Sequence, residues 1–372
     1  MKQTYAKLFE PFTLKNGVTV KNRLVVAPLT HFGSDEAGHL TDIERAFLGE
    51  RATDVGLFVT ACYLVQTGGR AFTGQPFAIS EADLPSMREV ARILRDQGAL
   101  AVMQIQHGGA RVTPELNGGD LPRVPSELPG TPSRAFTSRE VESLVESFAN
   151  AARLAMRAGF DGVEIHGANN YLVQQFYSGA TNLRADAWGG TRQKRMRFPL
   201  AIVDAVLEAR KAEGRPSFIV GYRLSPEEPF ENGLTMQDTF ELVDALCGRD
   251  IDYIHVSLHD FYSKAKRGAP ADYRLKLIGE RVAGRTALIG LGDLVTADRL
   301  AKALATRWTD FVAIGRTAVA TPHAASLIAT GREEELSAEI DPARKSFYHI
   351  PEPLWKLIMA DDMGWLPRVK KP

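Results

Sequence analysis

The run V-E-I-H-G-A-N-N-Y-L-V-Q-Q-F-Y-S-G-A-T-N-L-R-A-D-A-W-G-G occupies residues 163–190 and opens as a short apolar strand ending in His166. Just past that strand end the chain supplies His166, Asn169 and Tyr171, two hydrogen-bonding side chains and a phenol. Such groups can polarise a carbonyl and deliver a proton beside it. The strand, D-G-V-E-I at 161–165, has seven counterparts: R-L-V-V-A-P-L (23–29), V-G-L-F-V-T (55–60), A-L-A-V-M-Q-I (99–105), S-F-I-V-G-Y (217–222), D-Y-I-H-V-S (252–257), T-A-L-I-G (286–290) and D-F-V-A-I (310–314). Continuous rather than alternating hydrophobicity marks strands covered on both faces, as in a parallel sheet under helices.

Between these runs the spacing predicts helices. Residues 138–158 carry Phe148, Ala151, Ala152, Ala155 and Met156 on one face, opened by a capping box from Thr137 to Glu140 and closed by Gly159. Thr41-Asp42-Ile43-Glu44 has the same form, and further helices are expected at about 84–97, 192–212, 235–249, 272–283 and 296–305. Eight strands each followed by a helix predict a (β/α)8 TIM barrel of the α/β class, spanning about 20–330 of one domain over 1–372. Asn16-Gly17, between alternating segments, predicts a two-residue N-terminal β-hairpin that plugs the barrel floor. The Gly- and Pro-rich connection 107–137 is expected to shape the site. The C-terminal extension, about 331–372, is apolar and aromatic enough to pack on the barrel or on another subunit, so a homo-oligomer stays open.

Lys plus Arg equals Asp plus Glu at 45 each, which leaves no net field for nucleic acid or an acidic membrane surface. The N-terminus lacks a secretion signal's apolar stretch and no run is long enough to span a membrane, so a cytoplasmic protein is expected. Two cysteines, Cys62 and Cys247, are too few for an iron–sulfur or four-thiolate site, and no metal is implied.

A barrel builds its active site from the C-terminal ends of its strands. Those ends deliver Pro28-Leu29-Thr30, Ala61-Cys62, Gln104 with His107, then His166, Asn169 and Tyr171, then Arg223, and finally Gly292 and Gly315-Arg316. Glycines and an arginine after strands 7 and 8 suit a phosphate site, where backbone N–H groups approach closely and a guanidinium adds charge. Glycine at a tight turn also has a purely structural reading.

Together these segments resemble the old yellow enzyme family of FMN-dependent oxidoreductases, over roughly residues 6–330. The family pattern H-x-x-[NH]-G-Y-L-x-x-x-F followed by S-N-x-R-x-D-x-[YW]-G-G is met by His166, Asn169, Tyr171, Leu172, Phe176, Asn182, Arg184, Asp186, Trp188, Gly189 and Gly190. N-R-L-V-V-A-P-L-T at strand 1, Gln104 before His107-Gly108-Gly109, R-L-S-P at 223–226 and A-I-G-R at 313–316 follow in the family's order. Asn170 stands where Gly is common, Cys62 where Gly or Ala is usual, and Phe32 where some members place a substrate-facing Tyr.

The resemblance implies the short, single-domain form, with FMN bound and NADH or NADPH as hydride donor. Arg223 would face the flavin N1 and C2 oxygen edge, Gln104 the pyrimidine edge and Thr30 the O4 atom. Pro28, Leu29, Ala61 and Cys62 would line the ring, while Gly292, Gly315 and Arg316 would hold the phosphate. Hydride would pass through flavin N5 to an electron-poor alkene held by His166 and Asn169, and Tyr171 would protonate the α carbon.

Plainer roles compete with these. Tyr171 has a core reading, Arg223 a pairing with Glu227 or Glu228, and Arg184 with Asp186 a structural pairing. His255 reads as barrel interior and Cys247 as core, while the roles of His107 and Phe32 stay open. Two other functions compete as well: an NAD(P)H oxidase-type flavoprotein using oxygen or other acceptors, and a flavin-free sugar-phosphate barrel with Glu227 or Glu228 as its acid.

Overall fold

The computed structural model describes residues 1–360 and 364–370. Its eight barrel strands are β1 Leu24–Val26, β2 Leu57–Leu64, β3 Leu100–Gln106, β4 Gly162–Gly167, β5 Ile219–Leu224, β6 Tyr253–Val256, β7 Ala287–Gly290 and β8 Phe311–Ile314. They pair in parallel in that order, and β8 returns to β1 to close the barrel. Every predicted strand is found.

Nearly every strand residue is buried because the pleat sends alternate side chains to two different cores. Leu24, Val26, Met103, Ile105, Val163 and Ile165 belong to the large core that also contains the helix faces. Val25, Leu57, Val59, Val102, Ile219, Ala287 and Phe311 form a second, separate cluster that fills the lumen. Strands facing helices outside and one another inside have no wet face, so they read as unbroken apolar runs.

The outer helices run over Asp42–Leu48, Leu84–Asp96, Ser138–Ala158, Arg192–Ala212, Met236–Cys247, Arg274–Val282 and Ala297–Ala305. Leu84–Asp96 buries Leu84, Met87, Val90, Ala91 and Leu94 on one stripe, each large side chain contributing about 1.5–3 kcal/mol relative to exposure. Thr137 and Glu140 form both halves of the capping box, and Gly159 closes that helix at φ 89°. At Thr41 only half forms: the hydroxyl accepts from the Glu44 N–H at 3.3 Å, while the Glu44 carboxylate turns inward to accept from Ser34 Oγ at 2.9 Å.

Phe12–Thr13 and Thr19–Val20 form the antiparallel N-terminal hairpin. Its loop holds three residues rather than two: the Gly17 N–H donates to the Leu14 carbonyl at 3.0 Å, and Gly17 takes φ 84°. A two-residue Asn-Gly turn needs positive φ at Asn16 too, which it does not adopt. Leu14 and Val20 enter the lumen cluster, and Phe12 packs edge-on against Phe311 at 5.1 Å, so the hairpin does plug the floor.

Candidate active site

Climbing each strand from the plug, the inward positions change character. Val102 gives way to Gln104, Gly162 to Glu164 and His166, Ile219 to Gly221 and Arg223, and Tyr253 to His255. Strand register sets Cys62 beside Gln104, Gln104 beside Glu164, His166 beside Arg223 and Arg223 beside His255. A polar layer thus lies on an apolar one. At its hub, Glu164 accepts from Gln104 Nε2 at 2.7 Å and from the Tyr253 hydroxyl at 3.0 Å, and pairs with His255 Nδ1 at 2.8 Å. Gly221 makes this possible, since a Cβ there would lie 2.1 Å from the Tyr253 ring. Burial alone would raise the Glu164 carboxyl, but His255, Arg223 and Gln104 together hold it below its ordinary value. Sequence reading took His255 as interior and overlooked Glu164, whose only signal was a carboxylate at an inward position of an apolar strand.

Above this layer opens a cavity of about 910 Å³, within the usual range for ligand sites. Pro28, Leu29, Thr30, Cys62, Gln104, His166, Asn169, Tyr171, Arg223, Gly292, Gly315 and Arg316 all line it. Ala61 does not. Residues 60 and 61 together oppose Met103, so β2 bulges and Cys62, not Ala61, takes the inward register; Ala61 borders a small void with Leu29, His31 and Arg51. Burial pushes the Cys62 thiol up to about 12, which keeps it a neutral wall.

Arg223 donates to Ser257 Oγ at 3.0 Å, while its Nε is buried without a partner among the described residues. It pairs with neither Glu227 nor Glu228. Glu227 receives the Arg274 guanidinium at 2.5 Å, and Glu228 accepts from Gln174 at 2.6 Å and Ser178 at 2.5 Å. Both carboxylates are committed to loop structure, which removes the acid of a sugar-phosphate isomerase. Arg184 and Asp186 bond each other as expected, and Cys247 lies in the core.

The His166 imidazole has no hydrogen-bond partner among the described residues, and burial with the neighbouring Arg223 holds it well below its ordinary pKa, hence neutral. Asn169 sits at φ 56° and Asn170 at φ 59°, so Asn170 adopts the left-handed backbone that glycine commonly supplies. Asn169 is pinned by its own N–H to Ser225 Oγ at 2.9 Å and by Nδ2 to Ser257 Oγ at 3.1 Å. The Tyr171 ring lies 5.0 Å from that of His166, and burial raises its phenol, which keeps it protonated as an acid must be. Ser225, from the R-L-S-P run, also lines the cavity, as do Ser257, Arg111, Phe72 and Trp365, which no local motif marked. His107 is buried below, its ring against Phe136 at 5.7 Å, outside the lining. Phe32 faces the cavity edge-on to Phe72 at 5.5 Å. The C-terminal segment packs on its own barrel, with Leu354, Trp355, Ile358 and Leu366 in the main core.

The donor set fits FMN. A buried cation with an orphaned N–H would suit a ring edge that gains negative charge on reduction, and at Gly315 a Cβ would find only Leu29 at 3.9 Å, leaving room at the cavity wall. The Arg316 guanidinium is held by the Asp293 carboxylate, which also pairs with Arg299. Fold and site together define a barrel oxidoreductase whose polar floor is built for a flavin.

The model of the NADH:flavin oxidoreductase / NADH oxidase family matches residues 7–335. The chain is 45% identical to the probable NADH-dependent flavin oxidoreductase YqiG of Bacillus subtilis, over 99% of both proteins. It is 35% identical to the NADH:fumarate oxidoreductase of Klebsiella pneumoniae over 96% of this chain, spanning 39% of that larger protein. Morphinone reductase in complex with tetrahydroNAD superposes with a TM-score of 0.77 at 25% identity, over 98% of each chain. The chain belongs to the NADH:flavin oxidoreductase / NADH oxidase family and is an FMN-dependent, NAD(P)H-dependent flavin oxidoreductase of the old yellow enzyme type.

Proposed function

We propose that the protein reduces the C=C bond of an α,β-unsaturated carbonyl or similarly activated alkene, as one FMN-binding barrel domain over residues 1–372. The observation that carries this reading is the pairing of a neutral, unpartnered His166 with a pinned Asn169, both beside a protonated Tyr171. Bound FMN supplies the hydride, taken from the nicotinamide. Thr30, Gln104, Arg223, Gly292, Gly315 and Arg316 would hold the cofactor, with Pro28, Leu29 and Cys62 lining the same cavity and Ala61 behind them. Glu164 orients Gln104 and balances Arg223, so both present fixed dipoles to the ring edge. His166 and Asn169 donate to the carbonyl or nitro oxygen of the alkene, which draws electron density from the β carbon. Tyr171 places its phenolic proton at the α carbon. The relatives include proteins named for fumarate and for alkene reduction, which supports the reaction class. Anaerobic reduction by NADH and by NADPH, followed by reoxidation with a cyclic enone or with oxygen, tests it. Enone-accelerated reoxidation is expected; acceleration by oxygen alone would make the protein an NADH oxidase instead.

A further inference from the structure

The charged groups of the cavity are almost all spoken for. Arg274 pairs with Glu227, Arg316 with Asp293, and Arg223 bonds Ser257 above Glu164. Arg111 is different: it lines the cavity, yet among the described residues its side chain makes no hydrogen bond and no ion pair. Its only directional contact is a guanidinium lying 5.5 Å from the centre of the Tyr171 ring. That ring in turn lies 5.0 Å from His166, which puts a free cation beside the group that holds the substrate oxygen.

The base of this cation is fixed. Arg111 ends the turn Gly109–Arg111, whose Ala110 N–H donates to Gln175 Oε1 at 3.0 Å and whose Gly109 N–H donates to His107 Nδ1 at 3.1 Å. Gly109 is required there: it takes φ 59°, and a Cβ would fall 2.3 Å from Gln175 Oε1. A tethered turn thus holds an uncommitted, solvent-exposed guanidinium at the rim of a cavity whose wall it shares with Phe32, Phe72 and Trp365. A guanidinium presents paired donors that match a carboxylate.

We propose that Arg111 is the anion-recognising residue of this cavity and selects alkenes carrying a carboxylate in addition to the carbonyl or nitro group held by His166 and Asn169. The inference rests on the alkene-reductase reading above. The carboxylate engages Arg111 while the activating oxygen engages His166 and Asn169, so the two contacts fix which alkene carbon faces Tyr171.

The test compares 3-benzoylacrylic acid with its methyl ester, on the FMN-loaded wild type and on Arg111→Gln and Arg111→Lys. The acid-to-ester ratio of kcat/KM should fall about tenfold or more in Arg111→Gln and be partly kept in Arg111→Lys. Calorimetric binding of the saturated acid, 3-benzoylpropionate, should weaken in parallel without any turnover. Equal losses for acid and ester would overturn the proposal, leaving Arg111 as a support for Tyr171 alone. An unchanged ratio would overturn it too. So would a reductive half-reaction with NADH that slows as much as acid turnover, because the cation would then serve the cosubstrate's phosphates. Wild-type protein that reduces neither probe, yet binds the saturated acid through Arg111, would refute the reductase reading and leave the anion site standing.

Discussion

The lower and upper halves of the barrel lumen are both buried and built on opposite rules. Below, Leu14, Val20, Val59, Val102 and Phe311 pack without polar atoms to satisfy. Above, Gln104, Glu164, Arg223 and His255 are buried too, and the Nε of Arg223 and the Nε2 of His255 have no partner among the described residues. The lower layer stabilises by burial; the upper layer holds charge that apolar packing would not tolerate unless balanced. Stability and function therefore occupy successive rungs of the same strands, two residues apart.

Removing the hub of the upper layer should give the largest effect. Glu164→Ala leaves Arg223 buried and uncompensated and should cost about 3–5 kcal/mol in denaturant unfolding. Because the folded carboxyl lies below its unfolded value, its contribution is present above the ordinary carboxylate pKa and is lost as pH falls through the folded one. Glu164→Gln should accordingly flatten the acid limb of stability against pH; an unaltered limb would mean that Glu164 is not the charge balancing Arg223. His166→Ala should lower enone reduction on the order of 100-fold or more, about 2.7 kcal/mol, with little change in melting temperature since no protein partner is lost. A matching fall in stability would place His166 in the scaffold instead.

In the lower layer the pattern should invert. Leu14→Ala should cost about 2 kcal/mol of stability by opening a cavity under the plug, while the FMN content of folded protein stays the same. Flavin loss before unfolding would show that the two layers are not separable. The smallest effect is expected at Gly315→Ala: the added methyl meets only Leu29 at 3.9 Å, an ordinary contact, so stability holds while FMN affinity drops by a fewfold to about tenfold, read by flavin fluorescence. Unchanged affinity there would remove Gly315 from the phosphate wall.

Eight unbroken apolar runs, the helix caps at Thr137 and Gly159, and the order of strand-end residues were legible because each is local: periodicity, a cap, a motif. The same locality explains the misreadings. The hairpin loop's length was obscured because Asn16-Gly17 suits a two-residue turn, whereas Gly17 alone adopts positive φ. Ala61 was grouped with Cys62 because a bulge in β2 is invisible without the partner strand that defines it. Glu44 looked like half of a capping box until Ser34 offered its carboxylate a buried partner.

By itself, then, the sequence determined the fold class, the family and the strand-end residues that line the cavity, since hydrophobic period and short motifs are properties of neighbouring residues. Tertiary structure alone decided what those residues are attached to. Glu164 meets Tyr253 and His255 across 89 and 91 positions of chain, and Ser257 reaches Asn169 across 88. Closure of the barrel turns such separations into hydrogen-bond distances, and register, not composition, chooses which Arg is paired and which is left free.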